Sequence, residues 1–503
     1  MNLRDALAGA ARKYDAKTAI VYGERRLTYR EIDRDSNRMA HALKGLGVGK
    51  GDRVAMLLNN RPEFVIVFFG AAKIGAIAVP LDTKYKFDEL AALFNHAQPK
   101  VLVTENPYLE ELATSLGAFP FIEHVICLDC SGTVSGHRYS EMMALSPEEP
   151  VSVELDAEDA VQISYTSGPT ARPRGTLLCH RNFIEEAAIS AASFAQTEDD
   201  VSVLFALPMH HVFGLTIIMM AALFRGSTVV IQPALSLSSL WETVEREKVT
   251  LLMGVPYIFA LAVTMAEKEG ISHDLSSLRL CASSGAPLPM WVRERFKHYY
   301  GFDLVELWGL TEATAHITCQ AISGTDHPGS VGRVLPGWEA AIVDEHGRRL
   351  AVGEVGEIIV RGPIMKGYYH NPEDTALVLR DGWLYTGDLG KFDSGGELYI
   401  VGLKKDIIII KGQNVHPVDI ETVLCSHPLV AEAAALGVPD DTRGEKIRAV
   451  VALKDGLCVD EAELQDFCRE RLANYKVPKQ IIVARRLPRD RSGLVSKDEL
   501  RKL

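Results

Sequence analysis

Between residues 54 and 103 the sequence alternates short apolar runs of strand length with longer segments of helix length, and this alternation restricts the fold more than any other feature. Residues 54–57, 77–80 and 101–103 are apolar runs of strand length, and residues 63–75 and 88–96 between them read as helices. Strands separated by helix-length segments form a parallel sheet with helices on its faces. Upstream, residues 2–14 read as a helix, 18–22 and 26–28 as paired strands, and 29–46 as an amphipathic helix closed by Gly45 and Gly47. A length of 503 residues predicts two or three domains rather than one. No internal repeat interrupts the pattern.

Charge and apolar content narrow the function classes. The formal charge of −12, from 66 acids against 54 bases, argues against non-specific nucleic-acid binding. The most apolar region, 201–224, is broken by Pro208, His210 and His211. A membrane span needs about 20 continuous apolar residues, so this region reads as buried strand, loop and helix. Residues 1–13 are polar and amphipathic, unlike a secretion signal. Of eight cysteines only Cys127 and Cys130 are suggestively spaced. With no second pair they read as neither a zinc nor a redox site, and the cysteine usage fits a reducing cytoplasm.

The chemistry-bearing segments follow one another along the chain. A strand at 160–164 and a helix at 182–194 enclose Tyr165-Thr166-Ser167-Gly168-Pro169-Thr170-Ala171-Arg172-Pro173-Arg174-Gly175. Backbone N–H groups, hydroxyls and a cation on such a loop suit polyphosphate oxygens. Taken alone, the loop reads equally as a surface turn. A strand at 203–207 leads into Pro208-Met209-His210-His211, and one at 251–255 into Pro256-Tyr257. The strand at 278–283 ends in Ser284-Gly285-Ala286-Pro287, small residues that let a flat ring approach the backbone. Residues 304–311 read LVELWGLT and are followed by Glu312, a hard oxygen donor. Residues 353–367 alternate like strands, and 383–388 read WLYTGD, where Asp388 can accept two O–H groups. From 407 the chain reads as a compact α+β unit, with helices at 418–424 and 464–472 and strands at 433–436 and 447–453.

In this order the segments resemble the motifs of the adenylate-forming superfamily: acyl- and aryl-CoA synthetases, luciferases and peptide-synthetase adenylation domains. The family loop is retained at Thr166, Ser167, Gly168, Thr170, Pro173 and Gly175, and altered at Pro169, Ala171 and Arg174. The resemblance implies an α/β fold, with a large N-terminal domain of mixed sheets and helices plus a β-rich subdomain (1–401). A hinge (402–406) and a small mobile α+β C-terminal domain (407–503) would follow. It implies nucleotide contacts at Thr166, Ser167, Gly168, Thr170, Arg174, Gly285, Ala286, Trp308 and Asp388, with Trp308 beside adenine and Asp388 on the ribose. It implies an acyl pocket walled by His211, Gly214, Tyr257, Gly285 and Gly309. Catalytic roles would fall to His211, Thr311 at the α-phosphate, Glu312 as Mg²⁺ ligand, Lys405 at the hinge and Gly412 in the pantetheine tunnel. The implied cofactors are the AMP moiety of an acyl-adenylate, CoA and Mg²⁺.

The departures fall mainly on the first of the family's two steps, in which acid and ATP give acyl-adenylate. Pro169 removes a backbone donor and a hydroxyl, and Ala171 reduces loop freedom. Leu403 stands where relatives carry a ribose-contacting Arg, and Leu494 where they carry the Lys that bridges carboxylate and α-phosphate. Losing one such group costs roughly 10²–10³ in rate. Lys497 lies three residues on, with a spacing that points it elsewhere. The expectation is an acid–thiol ligase that forms an acyl-CoA thioester from an acyl-adenylate and CoA, with adenylation impaired or lost. ATP use is called into question, and the adenylate would come from a separate adenylating ligase in the cytoplasm. This resembles the functionally split ligases of platensimycin- and platencin-type antibiotic biosynthesis. Two alternatives remain: a complete two-step synthetase, and a non-catalytic acyl- or nucleotide-binding relative. The carboxylic acid is expected to be a medium-to-large apolar or aryl one.

Overall fold

The computed structural model describes residues 1–130, 136–165, 173–232, 236–323, 327–410, 413–440, 444–454, 457–472, 474, 476–490 and 495–503. They divide into two compact units, Met1–Glu339 with Arg361–Leu384, and Ala340–Val360 with Tyr385–Leu503. The β-rich segment before the expected hinge therefore groups largely with the C-terminal residues.

The first unit is built on two mixed sheets. One runs Arg333–Val334, Ala315–Cys319, Leu304–Leu310, Leu280–Ser283, Leu251–Gly254, Val201–Leu204, Thr228–Ile231, Thr18–Tyr22, Arg25–Thr28. Its six inner strands are parallel and its outer pairings antiparallel. The other runs Gly367–Tyr368, Gly175–Cys179, Ala160–Tyr165, Ile77–Pro80, Arg53–Leu57, Val101–Thr104, His124–Cys127, His137–Arg138. It is parallel from Ala160–Tyr165 onward. The alternation read from the sequence thus gives the expected architecture, mixed because each sheet adds antiparallel strands at an edge.

Local chemistry explains the elements. The helix Tyr29–Gly45 begins with a reciprocal cap: Glu31 N donates to Thr28 Oγ1 at 3.2 Å and Thr28 N to Glu31 Oε2 at 2.8 Å. Its neighbour Pro62–Lys73 is buried on every side. The two approach so closely that a Cβ on Gly70 would lie 2.5 Å from Met39 Cγ. Even Lys73 is buried there, its ammonium donating to Asp33 Oδ1 and Asn37 Oδ1, both at 2.6 Å. Residues 201–224 form the strand Val201–Leu204, a turn, and a π-helical stretch Phe213–Met220 that runs into Ala221–Arg225. No helix among the described residues is long and apolar enough to cross a membrane.

Asp200, 4% exposed, ties three strand entrances together. It accepts from Thr197 N at 2.8 Å, Thr250 Oγ1 at 2.7 Å, and Arg279 Nε and a terminal guanidinium nitrogen, each at 2.7 Å. Burial alone would raise its pKa; the Arg279 guanidinium and these hydrogen bonds outweigh burial and hold it at about 2. A depressed carboxylate pKa contributes stability that is full above the unfolded value, about 4, and is lost as pH falls toward the folded one. We expect the stability gap between wild type and Asp200→Asn to shrink by about 2 kcal/mol between pH 5 and pH 2. Urea unfolding at stepped pH reads this; a constant gap contradicts it.

One expectation is corrected. Cys127 and Cys130 form a disulfide, with Cα atoms 5.7 Å apart. The strand His124–Cys127 ends there, and the following turn returns Cys130 within the usual bridging distance. The spacing set aside in the sequence therefore brings these two sulfurs together.

The second unit holds two sheets. One contains most of Glu339–Val343, Gly356–Arg361 and Trp383–Phe392, together with Leu398–Leu403. The other runs Gln413–Val415, Ile408–Ile410, Gly444–Leu453, Val430–Asp440, with Gln480–Ala484 parallel to Gly444–Leu453. The helices Pro417–Cys425 and Glu461–Arg469 contribute Ile420, Leu424, Leu464 and Cys468 to the core of this α+β sheet.

Candidate functional site

Four adjacent parallel strands of the first sheet collect residues that are far apart in sequence. His211 follows Val201–Leu204, Tyr257 follows Leu251–Gly254, and Gly285 and Ala286 follow Leu280–Ser283. Trp308 and Gly309 extend Leu304–Leu310 beyond its parallel register. Crevices outside the carboxyl ends of parallel strands are where α/β sheets bind ligands. Gly309 has a steric reason: a Cβ there would lie 1.8 Å from Ala315 O on the returning strand. A Cβ on Gly214 would likewise lie 2.6 Å from Pro208 O, so only glycine lets the helix pass the preceding turn. Tyr257, in the first turn of helix Pro256–Glu269, is 49% exposed.

The turn carrying His211 is held from the other sheet. Asn60 Nδ2 donates to Leu207 O and Met209 N donates to Asn60 Oδ1, both at 2.8 Å. The His210 and His211 rings are 4.7 Å apart, and His210 Nε2 is 3.9 Å from Asp82 Oδ2. Burial lowers the pKa of both imidazoles, and His211 adds repulsion at His210. Both are therefore neutral near pH 7. Sequence reasoning singled out His211 alone; the doubled histidine was the signal that His210 belongs with it.

A second cluster surrounds Glu312. The single turn Thr311–Ala313 follows Leu304–Leu310, and Tyr368 Oη donates to Glu312 Oε1 at 2.8 Å. Burial, then the Glu312 charge, raises the phenol pKa, so Tyr368 stays a donor. Tyr368 belongs to a strand antiparallel to Gly175–Cys179, and Tyr369 N donates to Gly175 O at 2.7 Å. Arg174 Nε donates to Asp374 Oδ2 at 2.8 Å. The cation expected to face phosphate is therefore already paired. Glu312 and the two ends of the 165–175 segment thus share one patch; Thr166, Ser167, Gly168, Pro169, Thr170 and Ala171 lie outside the described residues.

No group of three or more His, Cys, Asp or Glu that could cage a metal occurs among the described residues. Glu312 fits a different kind of site. Mg²⁺ takes one or two carboxylates, keeps waters and completes its shell with substrate phosphates. The donor set fits that use.

In the second unit Asp388 pairs in register with Leu403 across antiparallel strands. Two positions that the resemblance assigns to ribose are therefore neighbours, and Leu403 presents an aliphatic side chain that is 39% exposed. Around them, Gly387 N donates to Glu357 Oε1 at 3.2 Å and Lys404 Nζ to Glu357 Oε2 at 2.7 Å. Lys405 lies in the turn Lys404–Asp406. Lys497 opens the helix Lys497–Arg501, and its ammonium is 3.1 Å from Asp406 Oδ2. Gly412 and Leu494 lie outside the described residues.

A family model described as AMP-binding enzyme matches residues 7–369, and one described as AMP-binding enzyme C-terminal domain matches residues 419–494. A long-chain-fatty-acid–CoA ligase of Bacillus subtilis is 35% identical, over 99% of this chain and 94% of the relative. A feruloyl-CoA synthase of an Amycolatopsis species is 34% identical, over 98% and 97%. Among solved structures, ATP-bound MatB from Rhodopseudomonas palustris superposes with a TM-score of 0.91 at 32% identity, covering 100% of this chain and 99% of that one.

Proposed function

Because the chain belongs to the AMP-binding enzyme family, as an acyl-CoA ligase relative, we propose that it is a complete two-step acyl- or aryl-CoA synthetase whose first step is slow. Acid and ATP would give acyl-adenylate and pyrophosphate; the CoA thiolate would then displace AMP and leave the acyl thioester. The observation that carries this reading is Glu312, oriented by Tyr368 beside both ends of the phosphate-loop segment.

Each residue then has a task set by its chemistry. Glu312 would hold Mg²⁺, which neutralises phosphate charge when bound. Thr311 would donate its hydroxyl to the α-phosphate, and the 166–171 segment would bind the outer phosphates with Arg174 at its end. Asp388 would accept the ribose hydroxyls, and Trp308, Gly285 and Ala286 would flank adenine. The neutral His211, with Gly214, Tyr257 and Gly309, would wall the acyl group. The relatives named for long-chain fatty acids and for ferulate support a medium-to-large apolar or aryl acid. Lys405 and Gly412 would serve the second step, at the 402–406 hinge and the CoA path, with the 407–503 part as the moving element.

A second reading, thioester formation from supplied adenylate only, is favoured by one observation. Leu494 offers no cation, and Lys497, the nearest lysine, is committed to Asp406. Supply by a separate adenylating ligase, as in the split ligases of antibiotic biosynthesis, rests on those altered residues alone. The ATP-bound relative and the CoA ligases and synthases of matching length support the complete reading instead. Thioester assays from acid, ATP and CoA, run beside assays from pre-made acyl-adenylate and CoA, separate the two. Product from both supports the complete synthetase; product from the adenylate alone supports the second reading.

A further inference from the structure

The two ends of the 165–175 segment are fastened by one cluster of rings, and His96 is its centre. His96 sits in the last turn of helix Phe87–Ala97, far from the site in sequence. Its Nδ1 is 2.8 Å from Tyr165 Oη, and its ring centre is 5.7 Å from that of Tyr165. Tyr165 is the last residue of strand Ala160–Tyr165, buried, and immediately precedes Thr166. Its ring lies under the other end of the segment: Tyr165 pairs with Gly175, where a Cβ would come 3.1 Å from Tyr165 Cε1. Tyr369, whose N–H donates to Gly175 O at 2.7 Å, packs edge-to-face with His96, ring centres 5.7 Å apart. His370 stacks on Tyr369 at 3.9 Å and completes the cluster. His96 thus contacts the group that anchors each end. Burial and His370 lower its pKa, so the imidazole is neutral, as a hydrogen-bond partner for a phenol between packed rings should be.

We propose that His96 is a positioning residue for ATP: through Tyr165 and Tyr369 it fixes where the phosphate-binding segment leaves and rejoins the sheet. It touches no substrate itself. The inference rests on the reading of 166–171 as a polyphosphate loop. It concerns the outer phosphates, which ATP has and AMP lacks. Losing one buried hydrogen bond that aligns such a loop is worth about tenfold in affinity.

The test is calorimetric binding of Mg·ATP and of AMP to the full chain. His96→Phe keeps a ring and removes the polar partner; Tyr165→Phe removes the hydroxyl. Each is expected to weaken ATP about tenfold and leave AMP unchanged. The double variant should be no worse than either single one, because both remove the same bond. His96→Asn, which keeps a polar atom near the Nδ1 position, should restore most of the ATP affinity. The inference is overturned if ATP and AMP weaken together, if neither changes, or if the wild type binds ATP no tighter than AMP. Failure of the synthetase reading shows elsewhere: ATP binding that responds as expected, with no acid-dependent pyrophosphate exchange, upholds the role of His96 and removes the first step.

Discussion

Leu494→Lys raises acid-dependent ATP–pyrophosphate exchange by about 10²-fold or more and leaves thioester formation from pre-made adenylate unchanged. The direction follows from where charge changes in the first step. The attacking carboxylate and the α-phosphate are both anionic, and a cation between them stabilises their approach. Leucine at 494 supplies none. A preorganised charged or hydrogen-bonding group at such a position is worth roughly 10²–10³ in rate, so restoring one should recover a large part of that. Lys497 does not fill the role, because its ammonium is held 3.1 Å from Asp406. Lys497→Met is therefore expected to leave exchange nearly unaltered. Exchange by Leu494→Lys no faster than wild type would place the limitation at Pro169 or Ala171 instead.

Glu312→Gln has the opposite effect. It abolishes the formal charge that would hold Mg²⁺ and keeps the shape and the Tyr368 contact. Exchange is expected to fall roughly 10²–10³-fold, while thioester formation from supplied adenylate falls much less, since pyrophosphate no longer has to leave. Tyr368→Phe is the control for orientation. It removes the 2.8 Å hydrogen bond to Glu312 Oε1 and should cost about tenfold at most. Equal losses in both half-reactions for Glu312→Gln would show that the residue supports the fold rather than the phosphate chemistry.

Much of the large unit was legible because its signals are local. Strand-length apolar runs and helix-length segments alternate from Arg53 to Thr104, and the structure places strands and helices there within two residues of the expectation. The site was legible as a string of motifs but not as a place. Nothing local says that His211, Tyr257, Gly285 and Trp308 end neighbouring strands; strand order is set by long-range packing. Gly309 is explained by a returning strand, whose Ala315 O lies 1.8 Å from where its Cβ would be. The pairing of Tyr368 with Glu312, of Tyr165 with His96, and of Cys127 with Cys130 left no decisive trace. The first two partners are 56 and 69 residues apart, and the third pair has a spacing that usually means something else.

The central claim is that one chain carries both half-reactions. The most direct measurement incubates the purified chain with Mg·ATP, CoA and a long-chain fatty or aryl acid, and follows acyl-CoA and AMP together. The account predicts acyl-CoA and AMP in equal amounts, formed slowly, with faster thioester formation when pre-made acyl-adenylate replaces acid and ATP. Acyl-CoA from the adenylate with none from acid and ATP, over a panel of acids whose adenylates are all accepted, would contradict it and leave the chain a thioester-forming enzyme alone.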